Sequence, residues 1–277
     1  VGNTFSSTVN GAQTLSIIDS GRTTFTGTVG GTTALTSLTT NAGGTTAING
    51  GAVTTTAAQS YGDAVTLGAA TTITGVGNTF SGTVNGAQTL SIVDSGTTTF
   101  SGAVGGTTAL TSLTTNAGGT TAVNGGGVTT SGAQTYNDSV ALGANATFNG
   151  TNASFAGGLS GGGFDLTLGF TGTTVLNGIA LVGSLITNDG GTTDLAGTIS
   201  TTGSQTYTDD VTLTAGTTLT STGNQAISLN GAVNGAQTLA VNTSGVTTFG
   251  GVVGGTTALT SVTTDACLLY TSPSPRD

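Results

Sequence analysis

The chain has 277 residues, of which 67 are Thr and 50 are Gly, and only 5% are charged, against about 25% in ordinary globular proteins. Its net charge of −9 comes from 11 Asp and two Arg, with no Glu, Lys or His, so it lacks the basic patch that binds nucleic-acid phosphates. No apolar run of about 20 residues is present to span a membrane as a helix.

Hydrophobic residues make up 35% of the chain, which sets it apart from disordered, highly charged sequences. They are mostly Val, Ala, Leu and Ile alternating with Thr. The β-branched types fit a pleated, half-buried strand. Residues 1–75 align without gaps to residues 76–150, with 58 of 75 positions identical. VGNTFSSTVNGAQTLSIIDSG at Val1 returns as VGNTFSGTVNGAQTLSIVDSG at Val76. Short alternating stretches such as TTFTGTV from Thr23 and TTITG from Thr71 predict strands. Asn10-Gly11, Asn49-Gly50, Asn85-Gly86, Asn124-Gly125 and Asn234-Gly235 predict tight turns between them. No helix is expected.

A diverged third repeat covers 151–223, with SQTYTDDV at Ser204 matching AQSYGDAV at Ala58 and AQTYNDSV at Ala133. A truncated fourth covers 224–266, carrying VNGAQTL at Val233 and VGGTTALTSVTTDA at Val253. Residues 267–277, CLLYTSPSPRD, hold the only Cys and both prolines. They resemble one translated reading frame of a transposase-type sequencing adapter and are expected to be non-native. With no signal peptide and no Met, the native part is expected to begin and end inside a longer protein.

The Thr-Thr-apolar phrase ends at Phe25, Ile48, Ile73 and Phe100, at spacings of 23, 25 and 27. These spacings predict a module of about 25 residues, three per 75-residue repeat. Such a module cannot bury a core alone, but stacked copies can. The predicted fold is therefore all-β, a parallel β-helix of ten to eleven coils of about 25 residues. Because Asn-Gly is also a strong hairpin signal, tandem small β-sandwiches, one per 75 residues, stand as the alternative.

The runs NGAQTLSIVDSGTTTF, VGGTTALTSLTTNAGGTTA and TTSGAQTYNDSVALGA resemble the repeat tracts of filamentous-haemagglutinin-like adhesins and autotransporter passengers. The resemblance spans residues 1–266. It implies a right-handed β-helix exported to the bacterial outer surface, acting in attachment or biofilm formation. The secretion-targeting N-terminal region and C-terminal translocator barrel of such proteins are not in this sequence.

The native part offers no His, Glu, Lys or Cys as acid, base or activated nucleophile, so no catalytic, cofactor or metal residue is assigned and no enzyme is expected. Polysaccharide-cleaving β-helices use Asp clustered with Arg or Lys. Here Arg22 stands alone and becomes Thr97 in the next repeat. Asp63, Asp138 and Asp209 share one repeat position and Asp19 and Asp94 another; turn-capping is the simpler reading of both. Asp209-Asp210 is the best candidate for a weak ion site. Tyr61, Tyr136 and Tyr207 could form a row that stacks on sugars, or pack between coils in a slot that Leu15 fills in the related module. Asn145, Asn152 and Asn242 open sequons expected by chance in a Thr-rich chain. The functional expectation is a structural or adhesive rod segment with a surface or glycan ligand. The alternatives are an ice-binding Thr array and, less favoured, a polysaccharide-binding β-helix.

Overall fold

Alternation of apolar and hydroxylated residues favours strands, and glycine falls mostly at the turns between them, although Thr173–Val182, Thr192–Thr201 and Asp210–Ser221 each run through one. The structure, a computed structural model, describes residues 2–188 and 190–265 and the backbone strand Leu268–Tyr270. Of the 267–277 tail, Cys267 and 271–277 lie outside the described residues. Strands range from two residues to the twelve of Asp210–Ser221, and no helix occurs among the described residues. Every strand pairing of defined register is parallel and joins one turn of the chain to the next. The fold is thus a β-solenoid, and the tandem-sandwich alternative falls, since its hairpins would be antiparallel.

The chain divides into two compact units, Val1–Ala144 and Asn145–Asp277, which together hold about 13 turns. In the first unit three faces are each built by strands in register. One carries Asn3, Thr23, Thr46, Val65, Val84, Val104 and Val128. A second carries Val9, Val29, Val53, Ile73, Ile92, Thr115 and Tyr136. The third carries Ile17, Thr40, Tyr61, Phe80, Phe100, Val123 and Leu142. The second unit repeats the plan, for example with Ile179, Ile199, Leu219 and Val241 in one column and Leu168, Thr187, Tyr207, Leu229 and Phe249 in another.

These columns are the core. Buried and more exposed residues alternate along many strands, as in Thr71–Gly75 and Thr89–Asp94. Aromatic rings stack from coil to coil: Phe5 on Phe25 at 5.1 Å, Tyr61 on Phe80 at 4.9 Å and Phe80 on Phe100 at 5.2 Å between centroids. Each such pair contributes about 0.5–1.5 kcal/mol beyond its buried area.

The coil length differs from expectation. Successive residues in register are 18 to 24 apart, roughly 20 on average, instead of 25. The cause lies in how the repeat meets the faces. Phe25 and Ile48 do share a face, but Ile73 lies on the face of Val53 and Ile92, and Phe100 on that of Phe80 and Val123. All three faces need the same strand pattern. The spacing of 23 is therefore one turn, whereas 25 and 27 are each a turn and one face. One 75-residue repeat advances three turns and two of the three faces of the next, so each repeat starts on a new face.

The corners are not hairpins. Gly11, Gly86 and Gly235 take positive φ directly after Asn, but at Asn49-Gly50 and Asn124-Gly125 the left-handed residue is one further on, at Gly51 and Gly126 (φ 76° each). Gly50 and Gly125 serve close approach instead: a Cβ on Gly50 would lie 2.1 Å from the Gly27 carbonyl carbon of the preceding coil, and one on Gly125 2.2 Å from that of Gly102.

Candidate functional site

Polar side chains turned inward at the corners need partners, because each buried unpaired group costs about 1–3 kcal/mol. Three copies of one arrangement supply them. Gln59 is buried; its Nε2 donates to the Val53 carbonyl (3.2 Å), Thr55 Oγ1 (3.2 Å) and the Thr74 carbonyl of the next coil (2.8 Å). The Tyr61 hydroxyl donates to Gln59 Oε1 at 2.6 Å. Gln134 with Tyr136 and Gln205 with Tyr207 repeat it, each Tyr hydroxyl 2.9 Å from its Gln oxygen. This glutamine is a corner clamp, bonding backbone before the corner and, at Gln59 and Gln205, backbone on the coil above.

The predicted tyrosine row does not form. Tyr61, Tyr136 and Tyr207 are 0% exposed, and Tyr61 and Tyr136 sit on different faces of the first unit. Burial pushes all three hydroxyls well above the ordinary tyrosine range. Nor does Leu15 fill the tyrosine slot: Leu15 is in register with Leu38 and Gln59, and Ile17 with Thr40 and Tyr61.

The aspartates are clamps as well. Asp63 Oδ1 accepts from the Gly44 amide at 2.8 Å, and Asp138 accepts from the hydroxyls of Thr115 and Thr121. Asp94 accepts from the Gly77, Asn78 and Gly96 amides, Asn78 Nδ2 and Thr98 Oγ1, all within 3.0 Å. Burial pushes its carboxyl upward, but the bonds from Gly77, Asn78, Thr98 and Gly96 together outweigh it and hold it below the usual range. Asp209 and Asp210 do not converge: buried Asp209 reaches back to the Gly190 amide and Thr193, and exposed Asp210 reaches forward to the Ala232 amide. Among the described residues no three Asp or Cys group as metal ligands would, and no helix is long and apolar enough to cross a membrane.

Two of the sequon asparagines are structural acceptors, Asn145 for the Asp165 amide and Asn152 for the Thr173 amide. Asn242 is exposed at the end of the strand Thr238–Asn242. Outward hydroxyls make only partial ladders: Ser16, Thr39, Ser60, Thr79 and Thr99 follow one another in register and then give way to Ala122 and Ala141. One column of the first unit runs Thr4, Thr24, Ala47, Thr66 and Asn85, and one of the second runs Thr167, Ile186, Thr206, Ser228 and Thr248.

The surface feature that recurs with unchanged geometry is a pair of stacked corner loops. Asn10 Oδ1 accepts from the amides of Thr32 and Thr33 one coil later, at 2.9 and 3.2 Å. Gly11 donates to the Thr33 carbonyl, Gly30 to that of Val9 and Thr36 to that of Gln13. Asn85 with Thr107 and Thr108, and Asn234 with Thr256 and Thr257, reproduce every distance within 0.1 Å. The upper loops are exposed at Thr32, Thr33, Thr107, Thr108, Thr256 and Thr257, and no charged residue lies in either loop. The sequence carries a signal for this pairing: VNG precedes VGG by 20 residues at Val9, Val84 and Val233, which is one turn.

No protein-family model matches the chain, and neither a curated protein nor a solved structure matches it.

Proposed function

We propose that this chain is a structural and adhesive rod segment of a large secreted bacterial surface protein, acting in attachment or biofilm formation. The observation that supports it best is the neutral loop pair, held rigid by cross-coil bonds and repeated at Asn10, Asn85 and Asn234. The buried glutamines and Asp63, Asp94, Asp138 and Asp209 are used as clamps, which leaves the outer loops as the recurring surface. The resemblance to adhesin repeat tracts supplies the extracellular setting. The outward columns mix Ser with Thr and are interrupted at Ala47, Ala122 and Ile186, which weighs against an ice-binding array, and the burial of the tyrosines weighs against a sugar-stacking row.

The test is display of residues 1–266 on beads, scored for retention on cell monolayers, biofilm matrix and immobilised glycans. Retention that falls when Thr32, Thr33, Thr107, Thr108, Thr256 and Thr257 are all changed to Arg supports the reading. Equal retention of that variant, with its solenoid intact by circular dichroism, or no retention of the parent on any surface, overturns it.

A further inference from the structure

Asn-Gly occurs eight times in the chain. In this pair the asparagine side chain is open to attack by its own main chain, because glycine has no side chain to shield its amide nitrogen. Asn149 and Asn177 lie inside strands, and the fold sorts the other six into two classes. In the loop pair both reacting groups are held. Asn234 Oδ1 accepts from the amides of Thr256 and Thr257 at 2.9 and 3.2 Å, and the Gly235 amide, which would attack, donates to the Thr257 carbonyl at 3.2 Å. Asn10 and Asn85 carry the same three bonds. Asn49, Asn124 and Asn230 are held by their main chains, whose amides donate to the carbonyls of Phe25, Phe100 and Tyr207. Their side chains are exposed, and among the described residues none of the three makes a side-chain hydrogen bond. The Gly125 amide bonds the Phe100 carbonyl at 3.1 Å, whereas the Gly50 and Gly231 amides have no partner among the described residues.

We propose that Asn49, Asn124 and Asn230 are sites of spontaneous deamidation, and that the loop pair protects Asn10, Asn85 and Asn234 from it. The glycine nitrogen attacks Asn Cγ and forms a new C–N bond. The side-chain nitrogen takes the proton of the attacking amide and leaves as ammonia, which closes a cyclic imide. Water then opens the imide: breaking the Cγ–N bond gives aspartate, and breaking the bond from the main-chain carbonyl carbon gives isoaspartate. Each conversion adds one negative charge to a chain whose net charge is already −9. Isoaspartate also adds a methylene to the main chain, at corners where Gly50 and Gly231 stand against the Gly27 and Asp209 backbones of the preceding coil, and so loosens the stack. Opening the loop pair breaks three bonds, which at ordinary net strength slows its asparagines on the order of a hundredfold. The single bond at Gly125 sets Asn124 about fivefold behind Asn49. Water is the only co-reactant required, so the adhesive-rod reading is not needed for this chemistry.

Asn230-Gly231-Ala232 and Asn234-Gly235-Ala236 are the decisive pair, because the same two residues follow each asparagine and only the fold separates them. The full chain is kept folded in mildly alkaline buffer, with circular dichroism following the fold, and a parallel sample is kept in urea. Both are cut with elastase and read by tandem mass spectrometry at all six asparagines over time. In the folded chain Asn49, Asn124 and Asn230 are expected to deamidate on the order of a hundredfold faster than Asn10, Asn85 and Asn234. In urea that difference is expected to disappear. Equal folded rates at Asn230 and Asn234 overturn the proposal, as does a difference that survives in urea or a folded chain in which none of Asn49, Asn124 and Asn230 reacts.

Discussion

Phe5 and Phe80 hold the same position in consecutive repeats yet lie on different faces of one unit: Phe5 stacks on Phe25, and Phe80 is held between Tyr61 and Phe100. The stacking distances, 5.1 and 5.2 Å for the Phe pairs, are nearly the same on both faces. The faces are therefore interchangeable, and a repeat need not be a whole number of turns, only a whole number of faces. Several consequences can be measured.

Gln59 should matter far more than Gln13, although both follow Ala in the same local phrase. Gln59→Ala leaves the Tyr61 hydroxyl buried without its acceptor and removes one bond each from the Val53 carbonyl and from the Thr74 carbonyl, which keeps the Thr55 amide, and the expected loss is about 2–4 kcal/mol. Tyr61→Phe removes one bond and should cost about 1 kcal/mol. Gln13→Ala, on an exposed side chain, should change stability by less than about 0.5 kcal/mol. Urea unfolding of residues 1–266 gives all three values, and equal losses for Gln59→Ala and Gln13→Ala would refute the clamp.

Asp94 predicts an acid limit. Its carboxyl is held below the ordinary carboxylate range despite burial, by the Gly77, Asn78, Thr98 and Gly96 donors. A depressed folded-state pKa contributes stability at pH above the unfolded value, and that contribution is lost as pH falls through the folded one. Melting temperature should therefore drop below the ordinary aspartate range. Asp94→Asn should be less stable than the parent at neutral pH and should flatten that part of the profile. A parent and variant with parallel acid profiles would show that another group sets the limit.

Two glycines separate space from backbone conformation. At Gly125 an added Cβ would meet the Gly102 backbone at 2.2 Å, with no positive φ involved. At Gly118 (φ 105°) the Cβ would meet nothing within 4 Å. Gly125→Ala must push two coils apart and should cost several kcal/mol, on the order of the larger core substitutions. Gly118→Ala carries only the left-handed penalty, on the order of 1–2 kcal/mol. Thermal unfolding of the two variants should rank them in that order.

Much of this was legible in the residues. Val, Leu and Ile alternating with Thr between glycines specify strands, and a 75-residue repeat too poor in large side chains for its own core specifies stacking. The coil length was not legible from the Thr-Thr phrase, because Ile73 and Phe100 satisfy the same local pattern as Phe25 on other faces. A one-dimensional spacing does not say which face a strand belongs to. The clamp role of Gln59 was hidden for a related reason. Ala-Gln-Thr-Leu and Ala-Gln-Ser-Tyr look equivalent, but the first places Leu15 in the column of Gln59, a shift of two residues that preserves the inward face.

That shift of faces can be measured directly, since residues 1–266 contain no Cys and labels can be placed at will. Thr39 and Thr99 lie outward on one face, in register through Ser60 and Thr79, so Thr39→Cys with Thr99→Cys puts two spin labels three turns apart, about 14 Å at the backbone. Thr24 and Thr99 are repeat equivalents, but Thr24 belongs to the face of Thr4 and Ala47. Their labels are separated by three and two-thirds turns and also lie on different faces, so the measured distance should be clearly longer. Were the repeat a whole number of turns, as three modules of 25 residues would make it, Thr24 and Thr99 would face the same way, and their pair would be the one in line along the axis. Dipolar spectroscopy on the two pairs distinguishes these geometries by the order of two distances, without depending on the absolute value of either.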